Sequence, residues 1–169
     1  MRSKLKSIII AVFFAALFCS SGCNEESSSL IAAPNFVLSD ISGQAVSLKE
    51  YRGRIVLLDF WATWCGPCRM SIPEMVKLGE KYREKGVVIL GISLDDANRV
   101  SNEQLESFKQ KQKINYRILR HDMKVIHDYF GNENVSIPTL FVIDQQGSIR
   151  DKIVGYRPGV LENSLRRIL

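Results

Sequence analysis

Residues 54–61, RIVLLDFW, form a nearly continuous apolar run, the pattern of a strand buried on both faces. The run stops just short of Trp64-Cys65-Gly66-Pro67-Cys68. From about Pro67 to Glu84 the apolar residues Met75, Leu78 and Tyr82 recur at helical spacing, and Gly86 stands where a helix C-terminus would end. A doubly buried strand that feeds straight into a helix implies a sheet covered by helices, with two cysteines at the junction.

The remaining pattern agrees. Residues 87–94 (VVILGISL) read as a second buried strand. Ser101 and Gln104 form a capping box opening a helix to about Gln112. Residues 116–119 suggest a short strand, and 123–130 a short helix closed by Gly131. Residues 139–144 and 149–154 read as strands joined in a hairpin through Gln146-Gly147, and a helix from Gly159 closes the chain. A small hairpin, Phe36-Val37-Leu38 with residues 45–48, leads the domain. Strands alternating with helices, followed by an antiparallel pair, describe an α/β protein with a mixed central sheet.

The chain has 169 residues, room for a leader and one domain but not for two ordinary domains. Its 46% apolar and 24% charged residues exclude disordered, collagen-like and low-complexity classes. The net charge of +5 comes largely from the leader, since Arg2, Lys4 and Lys6 lie in residues 1–22 with no acid and the remainder carries only +2. That balance argues against a polyanionic partner, nucleic acid included.

A basic start, an apolar stretch from Ile8 to Phe18, and Ser20-Ser21-Gly22 before Cys23 describe an export signal over residues 1–22. The stretch is too short to span a bilayer comfortably. Small residues before Cys23 resemble the lipobox of bacterial lipoproteins, with Ser20 where that pattern usually carries leucine. Lipidation at Cys23 is the expectation; an uncleaved anchor and a plain secretory signal are the other readings. Residues 23–32 read as a polar, flexible tether and 33–169 as the domain.

With Cys19 in the leader and Cys23 assigned to lipid, only Cys65 and Cys68 remain in the folded part. A stabilising disulfide would close a long loop; this pair closes almost none, so it is there for chemistry. Cys65 falls at a helix N-terminus, where unpaired N–H groups and the helix dipole favour a thiolate, the nucleophile of disulfide exchange. Cys68, one turn later, can attack a mixed disulfide on Cys65. A zinc site would need about two more ligands. Only His121 and His127 are available, and their spacing of six sets them about 120° apart on a helix. Both read as ordinary surface or helix residues, and the cluster from Lys109 to Lys113 as a solvated helix end.

The stretch LLDFWATWCGPCRMSIPEM resembles the thioredoxin superfamily, and with its leading hairpin it resembles the membrane-anchored TlpA/ResA/DsbE-like branch, related to AhpC/TSA proteins. The resemblance covers about residues 33–169. It implies a thioredoxin-like fold, a redox-active Cys65–Cys68 disulfide with no other cofactor, and no metal. Pro73 matches the proline that kinks the active-site helix. Ser136-Ile137-Pro138-Thr139 resembles the cis-proline loop that faces the cysteines and pairs with substrate backbone. Gly66-Pro67 is the thioredoxin dipeptide and leans toward a reductant, while Trp64 would belong to the docking surface.

Asp59 is the oddity: a carboxylate inside RIVLLDFW should be buried with a raised pKa. It matches the buried aspartate of thioredoxins, implied to relay a proton for the second cysteine; the alternative is a hydrogen-bonded core residue. Ser71 stands where the ResA subgroup has a functional glutamate, and Gly91 is the best match to the thioredoxin lysine that pairs with the aspartate.

Three functions compete. The first is an extracytoplasmic thiol–disulfide oxidoreductase. Resemblance implies exported disulfide proteins such as apocytochrome c as substrates and a CcdA/DsbD-type membrane electron donor. The second is a peroxiredoxin-like peroxidase, whose signature would need proline at 58 and threonine at 62, where this chain has Leu58 and Ala62. The third is a copper-handling protein using the two thiolates, in which the residue facing the pair is expected to be a ligand rather than Pro138.

Overall fold

The computed structural model describes residues 31–169. The buried run at 54–61 forms strand β3 (Ile55–Trp61), and every residue in it is buried. It is central in a five-stranded sheet of order β5-β4-β3-β6-β7. Strands β4 (Val87–Ser93) and β5 (Arg117–Arg120) run parallel to β3, β6 (Thr139–Ile143) runs antiparallel to it, and β7 (Ile149–Val154) pairs antiparallel to β6. The leading hairpin, β1 (Val37–Ser39) with β2 (Ala45–Ser47), forms a separate two-stranded sheet.

Alternation along β3 divides the core. Ile55, Leu57 and Trp61 pack with Ile72, Met75, Leu78 and Tyr82. These come from helix α1 (Gly66–Lys81) and the turn after it. The same layer takes Leu105 of α2 (Asn102–Lys111) and Leu161 and Leu165 of α4 (Val160–Arg166). Val56, Leu58 and Phe60 meet the other layer, built from the hairpin and α3 (Met123–Phe130). Phe60 there lies edge-on to Phe130 and Phe141 at centroid distances of 5.0 and 5.8 Å.

The hairpin also covers a sheet edge, which would otherwise offer unpaired backbone groups. Asp40 accepts from Ser42 N and Gln44 N to close its turn, and its other oxygen takes Arg117 at 3.0 Å. Ile41 N then donates to Ile118 O.

The expected helix after the cysteines is shorter than its pattern. It stops at Lys81, and a tighter 3-10 turn over Arg83–Lys85 carries the chain to Gly86 at φ 77°. Tyr82, at ψ 10°, leaves the α-helical ladder while keeping its side chain buried in the apolar stripe. The box at Ser101 and Gln104 forms with both halves in place.

Candidate active site

Because β3 ends at Trp61 and α1 begins at Gly66, the cysteines sit at one end of the sheet. Cys65 is the N-cap of α1, and its Sγ accepts from Cys68 N at 3.2 Å. A sulfur in this position meets a free N–H and the positive end of the helix dipole, which stabilise a thiolate. Gly66 and Pro67 open the helix, where a proline's missing N–H costs nothing. Pro73 lies inside α1, so the carbonyl of Arg69 loses its helical donor. Cys65 and Cys68 are joined by a disulfide of 2.04 Å. Cys68 is the deeper of the two, 1% exposed against 5%.

The Ile137–Pro138 bond is cis. Its loop is held by Thr139 Oγ1 donating to Ser136 O at 2.7 Å and Gly155 N donating to Pro138 O at 2.8 Å. That brings Ile137 O to 3.7 Å from Cys65 Sγ. An oxidised sulfur carries no proton, so this contact can become a hydrogen bond only after reduction. Trp64 stands beside it 67% exposed. Trp64, Met123, Val135 and Ile137 line an apolar groove at the cysteine, and His121 is part of its wall. From the sequence alone His121 reads as an ordinary surface or helix residue. Its Nδ1 lies 2.9 Å from Ser93 O and, facing a carbonyl, must carry the proton.

Asp59 lies in β3 between Gly91 and Leu140. Burial pushes its carboxyl up to about 7. It borders a cavity of about 30 Å³ whose wall includes Ser71, Glu74, Pro138 and Tyr156, enough for a water molecule. Ser71 Oγ donates to Cys68 O at 2.8 Å, linking that cavity to the deeper cysteine's turn. Glu74, one turn beyond Ser71, accepts from Gly159 N at 3.1 Å. The chain thus puts a carboxylate on this cavity although Ser71 is not one. A Cβ at Gly91 would lie 2.9 Å from Trp61 Nε1 and 3.1 Å from Tyr116 Cε2. Two aromatic rings therefore occupy the space around the position matched to the thioredoxin lysine.

A second feature is not legible in the sequence. Asp95, 1% exposed, accepts from Thr63 N at 3.0 Å, Thr63 Oγ1 at 2.6 Å and Ser93 Oγ at 2.8 Å. It pins the turn immediately before Cys65 to the end of β4. The string of polar residues around it gives no hint of the tie to Thr63, which lies 32 positions away.

Cys65, Cys68, Trp64, Gly66, Pro67, Ile137 and Pro138 therefore converge on one pole, with Asp59 beneath them. Cys23 lies outside the described residues. Among the described residues, no group of three or more His, Cys, Asp or Glu could hold a metal. The arrangement suits exchange of a disulfide between this pair and a chain lying along the groove.

The AhpC/TSA family profile matches residues 30–152. Thiol-disulfide oxidoreductase ResA of Bacillus cereus is 35% identical, over 73% of this chain and 68% of its own. Thioredoxin-like protein YneN of Bacillus subtilis is 36% identical, over 73% of this chain and 69% of its own. Among solved structures, a thioredoxin-family thiol:disulfide interchange protein of Chlorobium tepidum superposes with a TM-score of 0.73 at 26% identity, over 82% of this chain and 96% of its own. A thiol-disulfide oxidoreductase of Bacteroides fragilis gives 0.68 at 26% identity, over 82% of this chain and 99% of its own.

Proposed function

Because the chain belongs to the AhpC/TSA family and is a thiol–disulfide oxidoreductase of thioredoxin-like fold, we propose that its Cys65–Cys68 pair reduces disulfides of exported proteins. It would do so from a lipid-anchored position outside the cytoplasm. Residues 1–22 are the signal, Cys23 carries the lipid, 23–32 are the tether and 33–169 the working domain. The substrates are exported disulfide proteins such as apocytochrome c, and a CcdA/DsbD-type membrane protein is the electron donor. The observation that carries the reading is Cys65 as a helix N-cap, its sulfur facing Ile137 O at 3.7 Å beside exposed Trp64.

In the reduced protein the Cys65 thiolate attacks one sulfur of the substrate disulfide. The substrate S–S bond breaks, its electron pair leaves on the second sulfur, and that sulfur takes a proton from solvent. Ile137 O accepts from a substrate backbone N–H and holds the segment in line, while Trp64 covers it. Cys68 then gives up its proton toward Asp59 and attacks Cys65 Sγ. The substrate leaves with its second thiol, and the pair is left as a disulfide. A compartment that oxidises thiols makes a standing electron donor necessary.

A redox titration of the pair against glutathione tests the direction. A potential at or below about −250 mV fits a reductant, and one near about −120 mV would make the protein an oxidant.

A further inference from the structure

The sheet has two poles, and the redox pair occupies one of them. Strand β3 runs about 20 Å from Arg54 at one pole to the cysteine loop at the other. At the Arg54 pole, Ala32 bridges to Ser148 in the β6–β7 turn, and Ala33 N donates to Gly147 O at 2.9 Å. Gly53 N donates to Gln145 O in the same turn at 2.9 Å. The described chain therefore enters the domain at the pole opposite the redox pair.

The same pole is basic. Arg54, Arg83 and Arg117 line a polar groove at the starts of the parallel strands, with Glu84 the one carboxylate in its wall. Helix α2 delivers Lys111 and Lys113 to this end just ahead of Asn115, which lines that groove and donates to Val76 O of α1 at 3.3 Å. Arg117 is spent on Asp40. Arg54, Arg83, Lys85, Lys111 and Lys113 are exposed and make no ion pair among the described residues. Basic residues at helix C-termini answer the helix dipole, which accounts for Lys85 and Lys111. It does not account for Arg54, at the start of a strand, or for Lys113, beyond its helix at φ 55°.

We propose that this pole is a membrane-contacting face that rests on anionic phospholipid headgroups, with the Cys65–Cys68 pair presented away from the bilayer. The proposal rests on the tethered reading above, because the stretch from Cys23 to Ala32 can reach at most about 30 Å. Because that reach exceeds the roughly 20 Å between the poles, the tether sets only where the chain joins the domain, and the unpaired cations orient it. Each cation at an anionic surface strengthens partitioning by about fivefold, and salt weakens it. Substrates then dock from the aqueous side, and the electron donor must reach the pair there.

The test uses the full chain reconstituted in phosphatidylcholine vesicles, with and without phosphatidylglycerol, labelled by an amine-reactive reagent and mapped by mass spectrometry. Phosphatidylglycerol should slow labelling of Lys85, Lys111 and Lys113 severalfold, leave Lys124 and Lys152 unchanged, and lose its effect in high salt. Arg54→Glu with Arg83→Glu should abolish the protection and leave reduction of a soluble disulfide untouched. Equal labelling in the two vesicle types, or equal protection of Lys124, overturns the proposal. Loss of the acyl anchor is read separately, by membrane retention of Cys23→Ser, and does not alter how the lysine pattern is judged.

Discussion

The Sγ of Cys65 lies 3.7 Å from the carbonyl oxygen of Ile137, across 72 positions of sequence. The N-terminus of α1 and the loop entering β6 thus meet at the more exposed sulfur. In the oxidised protein that carbonyl has no donor from the cysteine and is free for an incoming backbone N–H. The attacking sulfur and the group that aligns the substrate chain are fixed by one contact.

In the proposed mechanism Asp59 takes the proton of Cys68 in the second step. A base must be ionised to take the Cys68 proton, and burial places its titration at about 7. Resolution of the mixed disulfide should rise with pH through about 7. Asp59→Asn should slow it by about a hundredfold, at the low end for general-base help, with attack by Cys65 little changed. Stopped-flow resolution of a preformed mixed disulfide checks this; equal rates for both proteins from pH 6 to 8 reduce Asp59 to a core residue.

The same carboxyl costs stability when ionised. In the unfolded chain it titrates near 3.8, and in the fold near 7, so the folded state holds the extra proton between those values. Stability should therefore fall as pH rises through that window and stay level above it, by a total of order 4 kcal/mol. Asp59→Asn should remove this fall and be the more stable protein at pH 8. Urea unfolding across the window decides the matter, and parallel curves for the two proteins would contradict the assignment.

Asp95 positions the turn before Cys65. Asp95→Ala strands Thr63 N, Thr63 Oγ1 and Ser93 Oγ, three donors it now satisfies, at a cost of about 3 kcal/mol. Misplacing the sulfur should also slow its attack on a disulfide by about ten- to hundredfold. Asp95→Asn, which keeps acceptor and shape, should recover most of that rate. A wild-type attack rate in folded Asp95→Ala would show that the tie holds only the scaffold.

Gly91 has no room for a side chain, with Trp61 Nε1 at 2.9 Å from where its Cβ would be. Overpacking of this kind costs about 1–3 kcal/mol, so Gly91→Ala should lower the denaturation midpoint and Gly91→Lys should lower it further. An unchanged midpoint in Gly91→Ala would mean that the rings yield freely.

Much of this was legible in the chain because it is local. The apolar run of β3, the cysteines at the next helix start and the box at Ser101 each need only neighbours in sequence. Burial of Asp59 follows from its apolar flanks. The loop at Ile137-Pro138 was readable only through resemblance, since nothing nearby says which face it meets. Contacts across the fold stayed hidden: Asp95 with Thr63, Glu74 with Gly159, and His121 in the groove wall beside Trp64. Each depends on strand order and register, which a single sequence does not reveal. The basic end of α2 was visible as a charge cluster, but its pole was not.

The central claim is that Cys65 attacks and Cys68 resolves, and trapping tests it most directly. Cys68→Ser, incubated with a disulfide-bonded peptide, should accumulate a mixed disulfide that mass spectrometry locates on Cys65. Cys65→Ser should accumulate none, because Cys68 is the more deeply buried sulfur. An adduct on Cys68 in the Cys65→Ser protein, formed as fast as the other, would contradict the account.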